Sequence, residues 1–316
     1  MSEYELYPEK PQLIEYHRKN NWAMTFCSIA LFVLVFSYLF AEKMNVILYL
    51  VGVLFIHEMG HYYAMKRYGY QNVRMLFIPI LGAFVHGKKD RYSQKESLMM
   101  IALGPLPGVF LGALSIYLSQ QLGSPDLFLL GIIFLALNVL NLLPIDPLDG
   151  GQLLKFFFNK NTEFFLLVFS FISSILMIIG GFFIESMALS AFGFVMAFRV
   201  RSIQNSRELH KDFESEGIEY IQTYKDLSNR DFSRIKSILI SRNASLRKYT
   251  EIAEEEELNE LFAHQVNNSL VAPVANDAGV LFKLSLIILW LVALASPIIL
   301  FFVIDHNWIN YAVQNW

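Results

Sequence analysis

The chain has 316 residues, of which 55% are hydrophobic, with a mean hydropathy of +0.42 and a formal net charge of only −3. So large an apolar share points to a multi-pass membrane protein, and the near-neutral balance offers no surface for nucleic acid. Cys27 is the sole cysteine, which excludes an internal disulfide.

Residues 1–22, MSEYELYPEKPQLIEYHRKNNW, are polar and rich in acidic groups. With no basic stretch leading into a short apolar core, they are not expected to be a removable signal. A helix needs roughly 20 apolar residues to cross a bilayer core of ~30 Å, and Ala23 to Phe40, Val46 to Met65, Ser97 to Leu118 and Leu127 to Leu143 meet this demand. Between the second and third spans, Asn72 to Gly87 is apolar but broken by Pro79 and Gly82 and too short to cross, so a hairpin or re-entrant element is predicted. Phe164 to Phe198 would measure ~50 Å as one helix, so a break is predicted at Gly180-Gly181 or at Glu185-Ser186, leaving a short sixth span. The last span runs from Leu281 to Val303 and is interrupted at Pro297. The predicted fold is therefore an all-α polytopic membrane protein of about seven transmembrane helices, with a membrane-inserted hairpin and a small helical cytoplasmic insert.

Positive charge marks cytoplasmic loops. Lys10, Arg18 and Lys19 precede the first span, seven basic residues from Lys66 to Lys95 separate the second and third, Lys155 and Lys160 follow the fourth, and Arg199 and Arg201 follow the sixth. The alternate loops hold almost none, which places the N-terminus in the cytoplasm and, if the host is bacterial, the protein in the inner membrane. The chain then divides into a cytoplasmic segment (1–22), a membrane-embedded core (23–200), a polar cytoplasmic domain (201–279) and a final helix with a short outer tail (280–316). In the polar domain, Glu254 to Glu257 read as a solvated helix face, and no glycine-rich phosphate loop is present.

The second span carries His57-Glu58-Met59-Gly60-His61. Residues four apart on a helix share a face, so both imidazoles can address one ion with Glu58 beside them, the spacing of zinc-dependent hydrolases. In this composition the pattern would arise by chance on the order of 0.01 times. Ionisable groups within a span cost several kcal/mol unless paired or coordinating, and an open zinc site needs a third protein ligand. The fourth span offers one: it ends NLLPIDPLDGG, where Pro144 and Pro147 cannot continue a helix and Gly150-Gly151 lets the chain turn, freeing Asp149 to face the second span.

These residues resemble the site-2 protease family of intramembrane zinc metalloproteases. The resemblance rests on the His57 to His61 motif together with Asn141, Pro144, Leu148, Asp149 and Gly150, and extends from about Val46 to Leu154, including the ALGPLPG run of the third span. It implies one Zn²⁺ per chain, held by His57, His61 and Asp149, with Glu58 as catalytic acid and base and Asn141 as the group stabilising the tetrahedral intermediate. Asn138, on nearly the same helical face, is open to a catalytic role or an interhelical hydrogen bond. His86 is read as a polar interface residue and not a fourth ligand. Gly104, Gly108 and Gly112 recur every fourth residue and form a smooth face for helix packing, kinked by Pro105 and Pro107.

The expected function is hydrolysis of a peptide bond in or beside a transmembrane segment of another protein; the Asn72 to Gly87 element is open to two readings, an edge that pairs with extended substrate or a segment that only plugs the site. The polar domain is open to two readings, a site for a regulator or a tether for the last span. A catalytically silent relative that binds membrane proteins is the alternative, with a zinc transporter behind it; the latter would want polar residues on several spans, and the third, fifth and seventh offer almost none.

Overall fold

The computed structural model describes residues 7–14, 22–39, 44–79, 82–157, 162–183, 185 and 187–315. Helices α1 (Trp22–Leu39) and α2 (Met44–Arg67) precede the strands β1 (Gln71–Ile78) and β2 (Gly82–Lys88). A two-residue strand β3 (Tyr92–Ser93) leads to α3 (Gln94–Ala102), α4 (Pro105–Leu122), α5 (Pro125–Asn141) and α6 (Asp149–Phe157). After α7 (Thr162–Phe183) and α8 (Met187–Ser215) come α9 (Asn229–Arg242), α10 (Ala244–Ile252), α11 (Glu255–Ser269), β4 (Val274–Ala275), α12 (Val280–Val303) and α13 (His306–Gln314). The chain forms two units: a larger one of Arg18–Lys89, Ser93–Thr162 and Asn276–Trp316, and a smaller one of Met1–His17, Asp90–Tyr92 and Glu163–Ala275.

By length and composition, four helices among the described residues can cross a membrane: Met44–Arg67, Gln94–Leu122, Phe164–Phe183 and Val280–Val303. Trp22–Tyr38 and Pro125–Asn141 are shorter apolar helices. The predicted third span is α3 and α4 joined at Leu103-Gly104, where Pro105 at the start of α4 has no N–H to carry one helix through. The predicted division of Phe164 to Phe198 does not fall at Gly180-Gly181, which lie inside α7; a glycine costs a helix only ~1 kcal/mol. It falls at the second of the two places, around Glu185, whose φ of 55° cannot belong to a helix. Ser186 lies outside the described residues, as do Phe40 and the basic residues Arg18, Lys19 and Lys160. The apolar residues 187–198 form only the first part of α8, which continues unbroken to Ser215.

In the larger unit, β1 alternates as its sequence dictates, with Val73, Met75 and Phe77 inward. It pairs antiparallel with β2 in the register Met75↔Val85 and Phe77↔Ala83, the predicted hairpin; Ile80 and Leu81 lie outside the described residues. Met75 and Phe77 pack with Phe32 of α1 and with Ile47 and Val51 of α2. The other edge of β1 is satisfied by α1: Thr25 Oγ1 donates to Met75 O at 2.8 Å, and Phe77 N–H donates to Ser28 Oγ at 3.1 Å. Helices α4 and α5 form the most extensive helix pair. They close on a second core that includes Ile116, Phe128, Leu135, Leu142 and Leu153, with Leu286 and Ala293 from α12 and Ala312 from α13.

In the smaller unit, α7 and α8 are tied by Ser174 Oγ donating to Gly193 O at 2.8 Å. Phe213, Tyr224, Phe232, Ile235, Phe262 and Val266 form the core of the polar region, with Leu13 of the N-terminal segment packed against it. Lys10 Nζ donates to the carbonyls of Tyr224 at 2.7 Å and Leu227 at 2.5 Å.

Candidate active site

Helix α2 turns His57 and Glu58 inward, at 3% and 5% exposure. One turn on, His61 brings its Nε2 to 3.2 Å from His57 Nε2. Asp149 is 9% exposed, and its Oδ2 lies 3.1 Å from His57 Nε2 and 3.2 Å from His61 Nε2. The three predicted ligands are thus brought together as a nearly equilateral triangle of one oxygen and two nitrogens. Asp149 is the first residue of α6, so the unwound stretch predicted around it is confined to residues 142–148. A carboxylate at a helix N-terminus is electrostatically at home, which favours the start of a new helix there.

Both imidazoles are oriented from behind. His57 Nδ1 lies 2.8 Å from Asn138 Oδ1, and His61 Nδ1 lies 2.9 Å from the Met100 carbonyl. Each partner is an acceptor, so each Nδ1 carries the proton and each Nε2 turns a lone pair into the triangle. The Asn138 carboxamide is itself fixed, with Nδ2 donating to Phe134 O at 2.7 Å. An edge of ~3.3 Å separates ligands on a tetrahedral zinc with bonds near 2.0 Å. The donor set, the tautomers and the 3.1–3.2 Å edges therefore fit a zinc ion.

The glycine face of α4 has a second use beyond packing. A Cβ on Gly104 would stand 2.2 Å from His61 Nε2, and one on Gly108 would stand 2.2 Å from Asn138 Nδ2. These positions leave the space that His61 and the amide behind His57 occupy. Sequence reasoning read the stripe as architecture, and the Met100 carbonyl, a main-chain atom, leaves no mark in a motif.

The hairpin reaches the same place. In an antiparallel ladder the N–H and C=O of one residue point to the same side. Since Met75 and Phe77 are engaged with α1, their partners Val85 and Ala83 turn these groups to the outer edge of β2. The Val85 N–H is directed at the Glu58 carboxylate. His86 is exposed and pairs with Arg74 in the register, away from the ligand set. Asn141, one turn beyond Asn138, donates from Nδ2 to Leu137 O at 3.2 Å.

Residues 45–124 match the model of peptidase family M50. A zinc metalloprotease of Methanocaldococcus jannaschii is 33% identical over 119 residues, which are 36% of this chain and 34% of that protein. Stage IV sporulation protein FB of Bacillus subtilis is 29% identical over 128 residues, 40% of this chain and 44% of its own. The chain therefore spans less than half the length of either relative. The family match covers the histidine motif and ends before Asn141 and Asp149. Over that stretch the chain is similar to peptidase family M50, in agreement with the resemblance to site-2 proteases that its two motifs carry.

Proposed function

We propose that this protein is an intramembrane zinc endopeptidase that cuts a transmembrane segment of another membrane protein. The observation that carries the reading is the buried triangle of His57, His61 and Asp149 with Glu58 beside it on a helix apolar enough to lie in lipid. His57 and His61 through Nε2, and Asp149 through a carboxylate oxygen, would hold the zinc. When bound, the ion supplies Lewis acidity toward a peptide carbonyl and acidifies water to a pKa of about 7. Glu58 takes the proton of the attacking water and returns it to the leaving amine. Asn141 donates to the developing oxyanion, giving up its bond to Leu137 O.

A transmembrane substrate arrives with its backbone bonded within its own helix. The outer edge of β2 offers the N–H and C=O of Ala83 and the C=O of Val85 to an unwound strand, and strand addition would lay the scissile bond alongside Glu58, which already holds the Val85 N–H. The basic residues support a cytoplasmic N-terminus and seven crossings, with a cut toward the cytoplasmic side and the polar region 201–279 in the cytoplasm, where a regulator could bind.

The test compares purified wild type with Glu58→Gln and Asp149→Ala, measuring bound zinc and cleavage of a co-expressed single-span substrate. Glu58→Gln is expected to keep its zinc and lose cleavage, while Asp149→Ala loses metal. Equal cleavage by wild type and Glu58→Gln would refute the role of Glu58, and full zinc in Asp149→Ala would remove it from the ligand set.

A further inference from the structure

The last transmembrane helix lies outside both motifs and outside the family match, yet it touches the segment that carries Asp149. Trp290 of α12 donates its indole N–H to the Leu142 carbonyl at 2.8 Å, across 148 residues of sequence. Leu142 is the fully buried residue that ends α5, and its own N–H donates to Asn138 O at 3.1 Å. The first turn of α6 is pressed against the same carbonyl: a Cβ on Gly150 would fall 2.1 Å from Leu142 O and 2.4 Å from Leu143 O. Gly150 follows Asp149 directly, so one carbonyl oxygen meets the end of α5, the start of α6 and the indole of α12.

Two further ties on this loop are local. Lys155 Nζ pairs with the buried Asp146 Oδ1 at 2.7 Å, and Gln152 Nε2 donates to Pro147 O at 3.2 Å. They hold the loop to its own helix, whose far end is tied to α3 by Gln94 Nε2 donating to the Phe156 carbonyl. The indole N–H comes from a different element, and an indole can only donate, so its bond sets one direction for the Leu142 peptide plane.

We propose that Trp290 is a positioning residue. Through the Leu142 carbonyl it fixes where α6 begins, and so where the Asp149 carboxylate meets the two imidazoles. A displacement of ~1 Å at a reacting centre can cost 10²-fold in rate, which gives a hydrogen bond remote from the chemistry a kinetic consequence. The proposal rests on the metal-ligand reading above.

Its test uses the full-length chain in lipid with two changes at position 290. Trp290→Phe removes the donor and some volume; benzothienylalanine keeps the shape of the indole and removes only the N–H. Three quantities are read: the rate of zinc loss to excess chelator, hydrogen exchange at the amides of residues 150–153, and kcat separately from KM. Loss of one buried hydrogen bond corresponds to about a fivefold effect. Both variants are therefore expected to release zinc and exchange about fivefold faster, with kcat lowered and KM unchanged. Wild-type release and exchange in the benzothienylalanine protein would overturn the proposal, even if Trp290→Phe melts earlier. Should wild type bind no zinc, the metalloprotease reading falls, and exchange at 150–153 decides for or against Trp290 without it.

Discussion

A histidine has two ring nitrogens, and committing one of them decides what the other can do. Asn138 commits His57 Nδ1, and the Met100 carbonyl commits His61 Nδ1. Replacing Asn138 with Leu keeps the branched shape of the side chain and leaves the His57 N–H without its acceptor. Loss of such a partner typically weakens metal binding by 10–100-fold, and chelator competition on Asn138→Leu is expected to fall in that range. Unchanged affinity would show that the carboxamide does not hold the ring. The three residues of the triangle were legible in the sequence because helical periodicity and the Pro-Gly punctuation act locally. Asn138 was left open between two readings, since an amide one turn before Asn141 can face either histidine or substrate, and only the packing of α5 against α2 decides between them.

At the level of elements, the spacing of small residues on α4 is what lets α2 and α5 approach from two sides. Gly104→Ala would place a methyl group 2.2 Å from His61 Nε2. Overpacking of this kind costs ~1–3 kcal/mol, and here the strain falls on a ring that must hold its aim. Zinc content well below one per chain is expected, read by metal analysis on the purified variant. Gly52→Ala in α2 is the control: nothing lies within 4 Å of its added Cβ, so zinc should be unchanged and stability should rise by up to ~1 kcal/mol. The hairpin was legible because Pro79 and Gly82 interrupt an apolar run too short to span. That β1 is bonded by Thr25 and Ser28 was not, because two hydroxyls in an apolar helix carry no sign of their partner. The start of a helix at Asp149 was also missed, the double glycine having been taken as a signal to stay unwound.

For the whole molecule, charge asymmetry argues for a cytoplasmic polar region, and a reporter fused after Ile240 is expected to be active on that face only. A signal from the outer face would remove the crossing assigned to the first part of α8. That region also carries a pH-dependent tie. Arg242 Nε donates to Asp212 Oδ2 at 2.5 Å, and this bond holds the Asp212 carboxyl below its ordinary range. A depressed carboxyl stabilises the fold above its unfolded pKa of ~3.9 and loses that contribution as pH falls through the lower folded value. Protection from hydrogen exchange in α8 and α9, taken relative to the intrinsic rate at each pH, is therefore expected to fall below about pH 4 in wild type, modestly because the pair is half exposed. Arg242→Gln should flatten the response; an identical profile in the variant would assign it to other groups. The count of crossings was the least legible property, since hydropathy marks an apolar run of residues 187–198 as a span while the helix it belongs to runs on for 29 residues.

The hydroxyls of α1 that seal one margin of the hairpin also govern what the molecule cannot do. A two-stranded ribbon with both flanks open could stack copy upon copy through the plane of the bilayer, as unguarded strands tend to do. With Met75 and Phe77 already satisfied internally, any such meeting happens once and has no second face from which to continue. Polymerisation is thereby blocked at the edge where the proposed strand addition would take place.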